Sequence, residues 1–238
     1  LNHSATHLLH AALRTVLGDH VTQKGSLVTH ERTRFDFSHP QPVTAEELIA
    51  IESMVNREIR QNEVVETRVM PIEESKAAVA MALYGEKYDD EVRVLSLGDF
   101  SVELCGGTHV ARTGDIGLFK ILSEGGVASG VRRIEAVTGE GALEQVVALE
   151  ATLDQAAALL KTGADSIVSK IEQMTERLKV TEREVDALKM KLATQAGGDL
   201  LDDVVDVCGV QCLVASLDGQ DPKTLRDTLD RVKNRLSQ

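Results

Sequence analysis

Apolar side chains recur at helical spacing from Asn2 to about Leu17, where Leu9, Ala12, Leu13, Val16 and Leu17 fall along one side and Gly18 follows as a stop. From Val21 to Phe37 β-branched residues around the polar "HERTR" predict a hairpin, and "SHPQPVT" reads as a loop. Thr44 with Glu47 three residues on forms a capping box, and Leu48, Ile51, Val55 and Ile59 carry the helical period onward. "EVVETRVM" then reads as a strand ended by Pro71, and "EESKAAVAMAL" as a short helix. Two more strands, "EVRVLSLGD" and "FSVELC", meet at Gly98-Asp99; they deliver Cys105 to a strand end and leave Gly106 to His109 as a turn. Two β-rich segments around a glycine-rich connection reach Gly139. Strands interleaved with helices predict one α+β domain over residues 1–139.

Beyond Gly139 the strand signal stops. Residues 142–161 and 166–193 read as helices, with Thr162-Gly163 as a stop and Asp165-Ser166 as a fresh N-cap. Ile167, Ile171, Met174, Leu178, Val185, Leu188 and Leu192 alternate at four and three residues, with Thr181 filling the remaining place. An apolar seam of that period needs a partner helix, so residues 140–196 are expected to form an antiparallel helical hairpin, with pairing to a second chain as the alternative. Gly197-Gly198 ends it. Residues 197–238 then predict two short strands and a helix capped by Asp221 and Pro222, with Leu225, Leu229, Val232 and Leu236 inward. That is too little for a core, so a truncated small α/β module is expected.

Composition narrows the function classes. With 42% hydrophobic and 27% charged residues, the 238-residue chain is built to bury cores, and 3% aromatics make those cores aliphatic. No run of about eighteen apolar residues exists to span a membrane. The chain opens at Leu1 directly in a helical pattern, so it is read as a piece of a longer protein, without a signal peptide. Three cysteines without a secretory signal favour a reducing, cytoplasmic setting, where Cys208 and Cys212 are expected as core filler. A formal net charge of -12 counts against bulk nucleic-acid binding, so any RNA contact must use local basic patches and DNA binding is not expected. Lys223, Arg226, Arg231, Lys233 and Arg235 in the last helix form one such patch, although a solvated face explains them as well.

The chemistry concentrates in two short stretches. His3 and His7 stand at i and i+4 on the first helix, the spacing with which two imidazoles grip one ion, and His10 shares roughly that face. Cys105 and His109 flank a glycine pair in "LCGGTHV". Together they offer three imidazoles and a thiolate, a set suited to zinc. Four protein ligands close a tetrahedron and point to a structural ion; a catalytic one must keep or open a position. Gly106 and Gly107 allow backbone N–H groups to approach a substrate, or else serve a turn with positive φ. Cys105 as a nucleophile with His109 or His7 as base is a further option, but the sequence shows no third group to orient the base. A metalloprotease is disfavoured, because Ser4-Ala5-Thr6 lacks the glutamate of His-Glu-x-x-His.

"NHSATHLLH", "QKGSLV", "RFDFSH", "ELCGGTHV", "RTGDIGLFKI" and "GVRRIEAVTG", in this order, resemble the editing domain of alanyl-tRNA synthetase, which is related to free-standing alanyl-tRNA editing proteins and to the threonyl-tRNA synthetase editing domain. The segments after Gly139 resemble the start of that synthetase's C-terminal domain, of bacterial type. The resemblance implies one zinc ion per chain held by His3, His7, Cys105 and His109. It implies hydrolysis of Ser-tRNA(Ala) and Gly-tRNA(Ala), with the acceptor end of tRNA(Ala) as partner. ATP and Mg2+ would serve only an aminoacylation domain that should precede Leu1. Gln23 is expected near the aminoacyl end, with Cys105 and His109 at the reacting centre. Arg132, Arg133 and Lys24 are candidates for phosphate or ribose contacts. A homodimer through the helical and C-terminal region is the further partner. The competing expectation is a zinc-stabilised tRNA-binding or dimerisation module without catalysis.

Overall fold

The structure, a computed structural model, describes residues 1–72, 74–75, 91–199, 203–216, 225–226, 229–230 and 232–234. The expected helix "EESKAAVAMAL" lies almost wholly outside the described residues, as do Asp221, Pro222, Arg231, Arg235 and Leu236.

Two compact units divide the chain at Thr152 and Leu153. The first begins with α1 (Asn2–Leu17), followed by β1 (Gln23–Val28), β2 (Thr33–Ser38) and α2 (Ala45–Gln61). It continues with β3 (Val65–Pro71), β4 (Glu91–Leu97), β5 (Ser101–Leu104), a 3-10 turn (Thr113–Ile116), β6 (Phe119–Ala128) and β7 (Val131–Thr138). The helix α3 (Gly139–Leu160) starts in this unit and ends in the next. Helices and antiparallel sheets together make this an α+β chain: one sheet has the order β1-β2-β7-β6, a second β3-β4-β5.

α1 is expected to be amphipathic; instead it is enclosed on nearly every side, with Asn2 and every residue from Ser4 to Leu13 buried. Leu8, Leu9 and Leu13 join Phe35 and Phe37 of β2, Ile134 of β7, Ile51 and Val55 of α2, and Leu95 and Leu97 of β4 in one core. Strand alternation explains the β2 contribution, since Thr33, Phe35 and Phe37 all face inward while their neighbours are half-buried. The capping box of α2 forms as read: the Glu47 amide donates to Thr44 Oγ1 and the Thr44 amide to Glu47 Oε2.

Burying polar groups of α1 requires partners for them. The Asn2 amide donates to the carbonyls of Thr29 (2.9 Å) and His30 (3.2 Å), and Thr138 Oγ1 donates to Asn2 Oδ1 (2.7 Å). One side chain thus ties the start of α1 to the β1-β2 turn and to the end of β7.

In the second unit a 3-10 turn (Ala164–Ser166) leads into α4 (Ile167–Asp199), and β8 (Val205–Val207) pairs with β9 (Val210–Cys212). The break between helices falls where it is read. The end of α4 does not: the helix runs through Gly197-Gly198 to Asp199, because each glycine costs a helix interior only ~1 kcal/mol and does not stop it by itself. Along the seam Ile167 is buried, whereas Ile171, Met174, Leu178, Val185, Leu188 and Leu192 are exposed. Cys208 and Cys212 are exposed too, contrary to their reading as core filler, since Cys208 occupies the left-handed turn of a two-stranded ribbon too small to enclose a thiol. Val232 is buried and Leu229 exposed.

Replacing Asn2 by Leu leaves three hydrogen-bonding groups without their partner, and is expected to lower the unfolding free energy by about 1–3 kcal/mol, read from urea titrations followed by circular dichroism.

Candidate metal centre

α1 presents His3, His7 and His10 from one side, and β5 with its extension presents Ser101, Glu103 and Cys105 against them. The two rows run in opposite directions. Ser101 Oγ donates to the His7 carbonyl (3.4 Å), Glu103 meets both His7 and His10, and Cys105 meets His3. Two strand residues advance about 6.8 Å and four helical residues about 6.0 Å, so successive side chains of the rows stay in register.

The ligand atoms of His3, His7, Cys105 and His109 all lie within 4.8 Å of one another. Cys105 Sγ is 3.6 Å from His3 Nε2 and 3.3 Å from His109 Nε2. A tetrahedral ion with bonds of about 2.0–2.3 Å has donor-donor edges of roughly 3.3–3.8 Å, and the two separations from Cys105 Sγ fall in that range. His7 Nε2 is buried and faces Cys105 and the other donors; His10 Nε2, outside this group, is likewise buried and has no hydrogen-bond partner among the described residues. The donor set therefore fits a metal.

The turn after β5 is shaped by close approach. A Cβ on Gly107 would lie 2.1 Å from His3 Cε1, so only glycine fits, and its amide donates to Cys105 Sγ (3.4 Å). Neither Gly106 nor Gly107 has a positive φ, so the turn does not need glycine for that reason; Gly106 is exposed and has open space around it. Arg93 of β4 donates to the Gly107 carbonyl and its own carbonyl accepts from the Cys105 amide (3.0 Å). Ser4 Oγ accepts from the Val110 amide (3.2 Å) and pairs with His109 Nδ1 (3.2 Å).

This packing polarises the cluster. Burial pushes the Cys105 thiol up, but His109, His3, His7 and the Gly107 amide outweigh it and hold the thiol down at about 3. Burial lowers His7, and the Cys105 thiolate and the Glu103 carboxylate facing its two nitrogens reverse this and raise it to about 9. Burial raises Glu103, and the hydrogen bonds from His10 and His7 bring it down to about 2. With no ion between them, these neighbours favour the ionised forms of Cys105 and Glu103 and the protonated ring of His7.

The remaining candidates lie elsewhere. Gln23 and Lys24 are exposed on β1, an edge strand, with Gln23 Nε2 donating to Ser26 Oγ (3.2 Å). Arg132 forks onto Glu124 (2.6 and 2.8 Å) and Arg133 onto Asp36 (2.7 and 2.8 Å), so both guanidinium groups are engaged within the sheet. Four contributors escape the sequence reading or are left aside by it: Glu103, Ser4, Arg93 and His10. Strand alternation is the signal that finds Glu103, two residues before Cys105; nothing in the sequence singles out Ser4 or Arg93.

Residues 92–135 match the family model described as "Threonyl and Alanyl tRNA synthetase second additional domain". Over 235 residues, 99% of the chain, the sequence is 60% identical to an alanine–tRNA ligase of Delftia acidovorans. It is 59% identical over 236 residues to that of Stenotrophomonas maltophilia and 55% identical over 235 residues to that of Idiomarina loihiensis. In each case the chain spans 27% of the relative's length. The resemblance to alanyl-tRNA synthetases read from the sequence thus extends along nearly the whole chain.

Gly107→Ala forces His3 aside and is expected to weaken Zn2+ binding at least about tenfold, in chelator competition, with far-UV circular dichroism unchanged. A pH profile of the metal-free chain tests the charge arrangement. Cys105 and Glu103, held below their ordinary 9.0 and 4.5, add stability that is present above those values and lost as pH falls toward about 3 and 2. His7, held above its ordinary 6.5, adds stability that is full below 6.5 and lost as pH rises through about 9. The His7 and Cys105 trends offset one another between pH 6.5 and about 9, so urea midpoints should be nearly flat there, fall below 6.5 where the Cys105 loss is unopposed, and fall more steeply below 4.5 where Glu103 joins it.

Proposed function

We propose, taking as premise a chain that resembles alanine–tRNA ligases along 99% of its length, that residues 1–139 hydrolyse the ester of tRNA(Ala) mischarged with serine or glycine. The observation that carries this reading is the convergence of His3, His7, Cys105 and His109 from segments about a hundred residues apart. The physical need is a limit of recognition: a pocket for alanine rejects glycine, one methyl smaller, or serine, one hydroxyl larger, by only about 10- to 200-fold. A second, hydrolytic site supplies the rest.

The ion held by these four residues is zinc, one per chain, on the chemistry of a thiolate with three imidazoles. When bound it supplies a fixed positive charge that orients an ester or lowers the pKa of a water to about 7. The chain's own groups do the remaining work. Ser4 and Glu103 fix the faces of His109 and His7, Arg93 holds the Gly107 carbonyl, and the Gly107 amide keeps the Cys105 sulfur turned inward. Gly106 and Thr108, both exposed, form the rim at which an aminoacyl ester would arrive. Gln23 and Lys24 are the groups offered to the aminoacyl end and to a phosphate; Arg132 and Arg133 would contact tRNA only by releasing Glu124 and Asp36.

A second reading is favoured by one observation. Glu103 behind His7 is the orienting group that a cysteine nucleophile with a histidine base requires, and the surrounding histidines hold the Cys105 thiol well below its ordinary range. The four-donor convergence favours the ion, and chelation separates the two.

The remaining assignments follow the same resemblance. Residues 140–196 would close as a hairpin linker, and 197–238 would begin a tRNA-binding or dimerisation domain, for which the exposed seam of α4 is the candidate contact. ATP and Mg2+ belong to an aminoacylation domain elsewhere in the full ligase, a cytoplasmic enzyme of translation.

The purified chain is expected to release serine from Ser-tRNA(Ala) faster than alanine from Ala-tRNA(Ala), with release abolished by a chelator and restored by Zn2+. Cys105→Ala should keep its fold and lose on the order of 100-fold or more in rate. Unfolding of that variant together with zinc loss, with no serine release by the wild type, would identify a non-catalytic zinc-stabilised module instead. Release that survives chelation would move the reaction to the thiolate.

A further inference from the structure

We propose that Glu103 is the positioning residue of this centre, presenting His7 Nε2 to the ion by holding the opposite nitrogen, with His10 locking the same carboxylate; the inference rests on the four-ligand reading above.

The two carboxylate oxygens are divided between two imidazoles. Glu103 Oε2 lies 2.5 Å from His7 Nδ1, and Oε1 lies 3.0 Å from His10 Nδ1. An ionised carboxylate only accepts, so each Nδ1 carries the hydrogen. The ligating lone pair of His7 is thereby fixed on Nε2, the atom that faces Cys105, His3 and His109. A carboxylate or carbonyl behind a metal-bound histidine commonly sets tautomer and ring angle in this way.

His10 is outside the four-donor group, and its ring packs against Phe35 at 5.3 Å between centroids. Its buried Nδ1 is accounted for by Glu103 Oε1. The side chains involved are nearly closed to solvent, at 10% exposure for His7, 9% for His10 and 12% for Glu103. Across the sheet, Leu95 is the strand neighbour opposite Glu103, and it is fully buried and apolar. Without His10 the second oxygen would stand against apolar side chains, and the carboxylate would be free to turn away from His7. Two of the other three ligands are backed differently: His109 by the Ser4 hydroxyl and Cys105 by the Gly107 amide. Among these supports, Glu103 alone brings a charge.

The test measures Zn2+ affinity of the purified full chain against a chromophoric chelator, and the visible absorption of its Co2+ form as a report on ligand geometry. Glu103→Gln presents an NH2 group to one of two Nδ1–H donors; it should lower Zn2+ affinity about 10- to 100-fold and shift the Co2+ bands. His10→Leu should weaken binding in the same direction. His10→Asn, whose amide nitrogen can stand where Nδ1 stood, should restore it. This pair leaves Glu103 in place and carries the test if Glu103→Gln fails to fold. Affinity and Co2+ bands unchanged in Glu103→Gln and His10→Leu, with only the urea midpoint lowered, would show a purely structural carboxylate and overturn the proposal. Loss in His10→Leu without recovery in His10→Asn would overturn the locking role of His10. Failure of the wild type itself to bind Zn2+ would strike down the four-ligand reading, a result distinct from either.

Discussion

A helix enclosed on nearly every side can keep polar side chains only where each one finds a partner, and α1 buries Asn2, Ser4, Thr6, His7 and His10. That requirement shapes the surroundings. Thr6 is answered by Thr33 on β2 and by the Asn2 carbonyl, Ser4 by the turn after Cys105, and Asn2 by the β1-β2 turn and β7. The apolar residues of α1 set how much surface is buried, at about 25 cal/mol per Å2 of apolar area. Its polar residues decide which neighbour goes where, because a mispaired buried donor costs about 1–3 kcal/mol. The histidine cluster is one part of this larger set of obligatory pairings.

Much of the fold was legible because its elements carry local signals. The capping box at Thr44, the hairpin around "HERTR" and the strand pair meeting at Gly98-Asp99 each depend on residues within one turn of one another, and each formed as read. The enclosure of α1 was not legible, since a one-sided apolar stripe with small and hydroxylated residues elsewhere does not announce that the other sides are covered as well. Gly197-Gly198 shows the opposite limit: a glycine pair is only a weak local stop signal, and the helix continues through it.

Within the site, the spacings of the candidate ligands could be read because i, i+4 on a helix and four residues around a tight turn are short-range facts. The supports could not. Arg93 and Gly107 lie 14 residues apart, and Glu103 and His7 lie 96 apart, so their pairing is a property of the fold. The phosphate candidates show the converse. Adjacent arginines on a strand look available in sequence, but a bidentate partner on the same sheet, Glu124 for Arg132 and Asp36 for Arg133, engages each fork before any ligand arrives.

The distance in sequence between His3 and Cys105, 102 residues, also sets an order of events at the ribosome. At about 5–20 residues per second, α1 emerges roughly 5–20 s before the strand that completes its surroundings. During that interval its leucines lack the β4 side chains that later cover them, and its histidines lack both carboxylate and thiolate. A nascent chain in this state exposes apolar surface that the fold later buries, and the four candidate ligands cannot converge until His109 has left the exit tunnel.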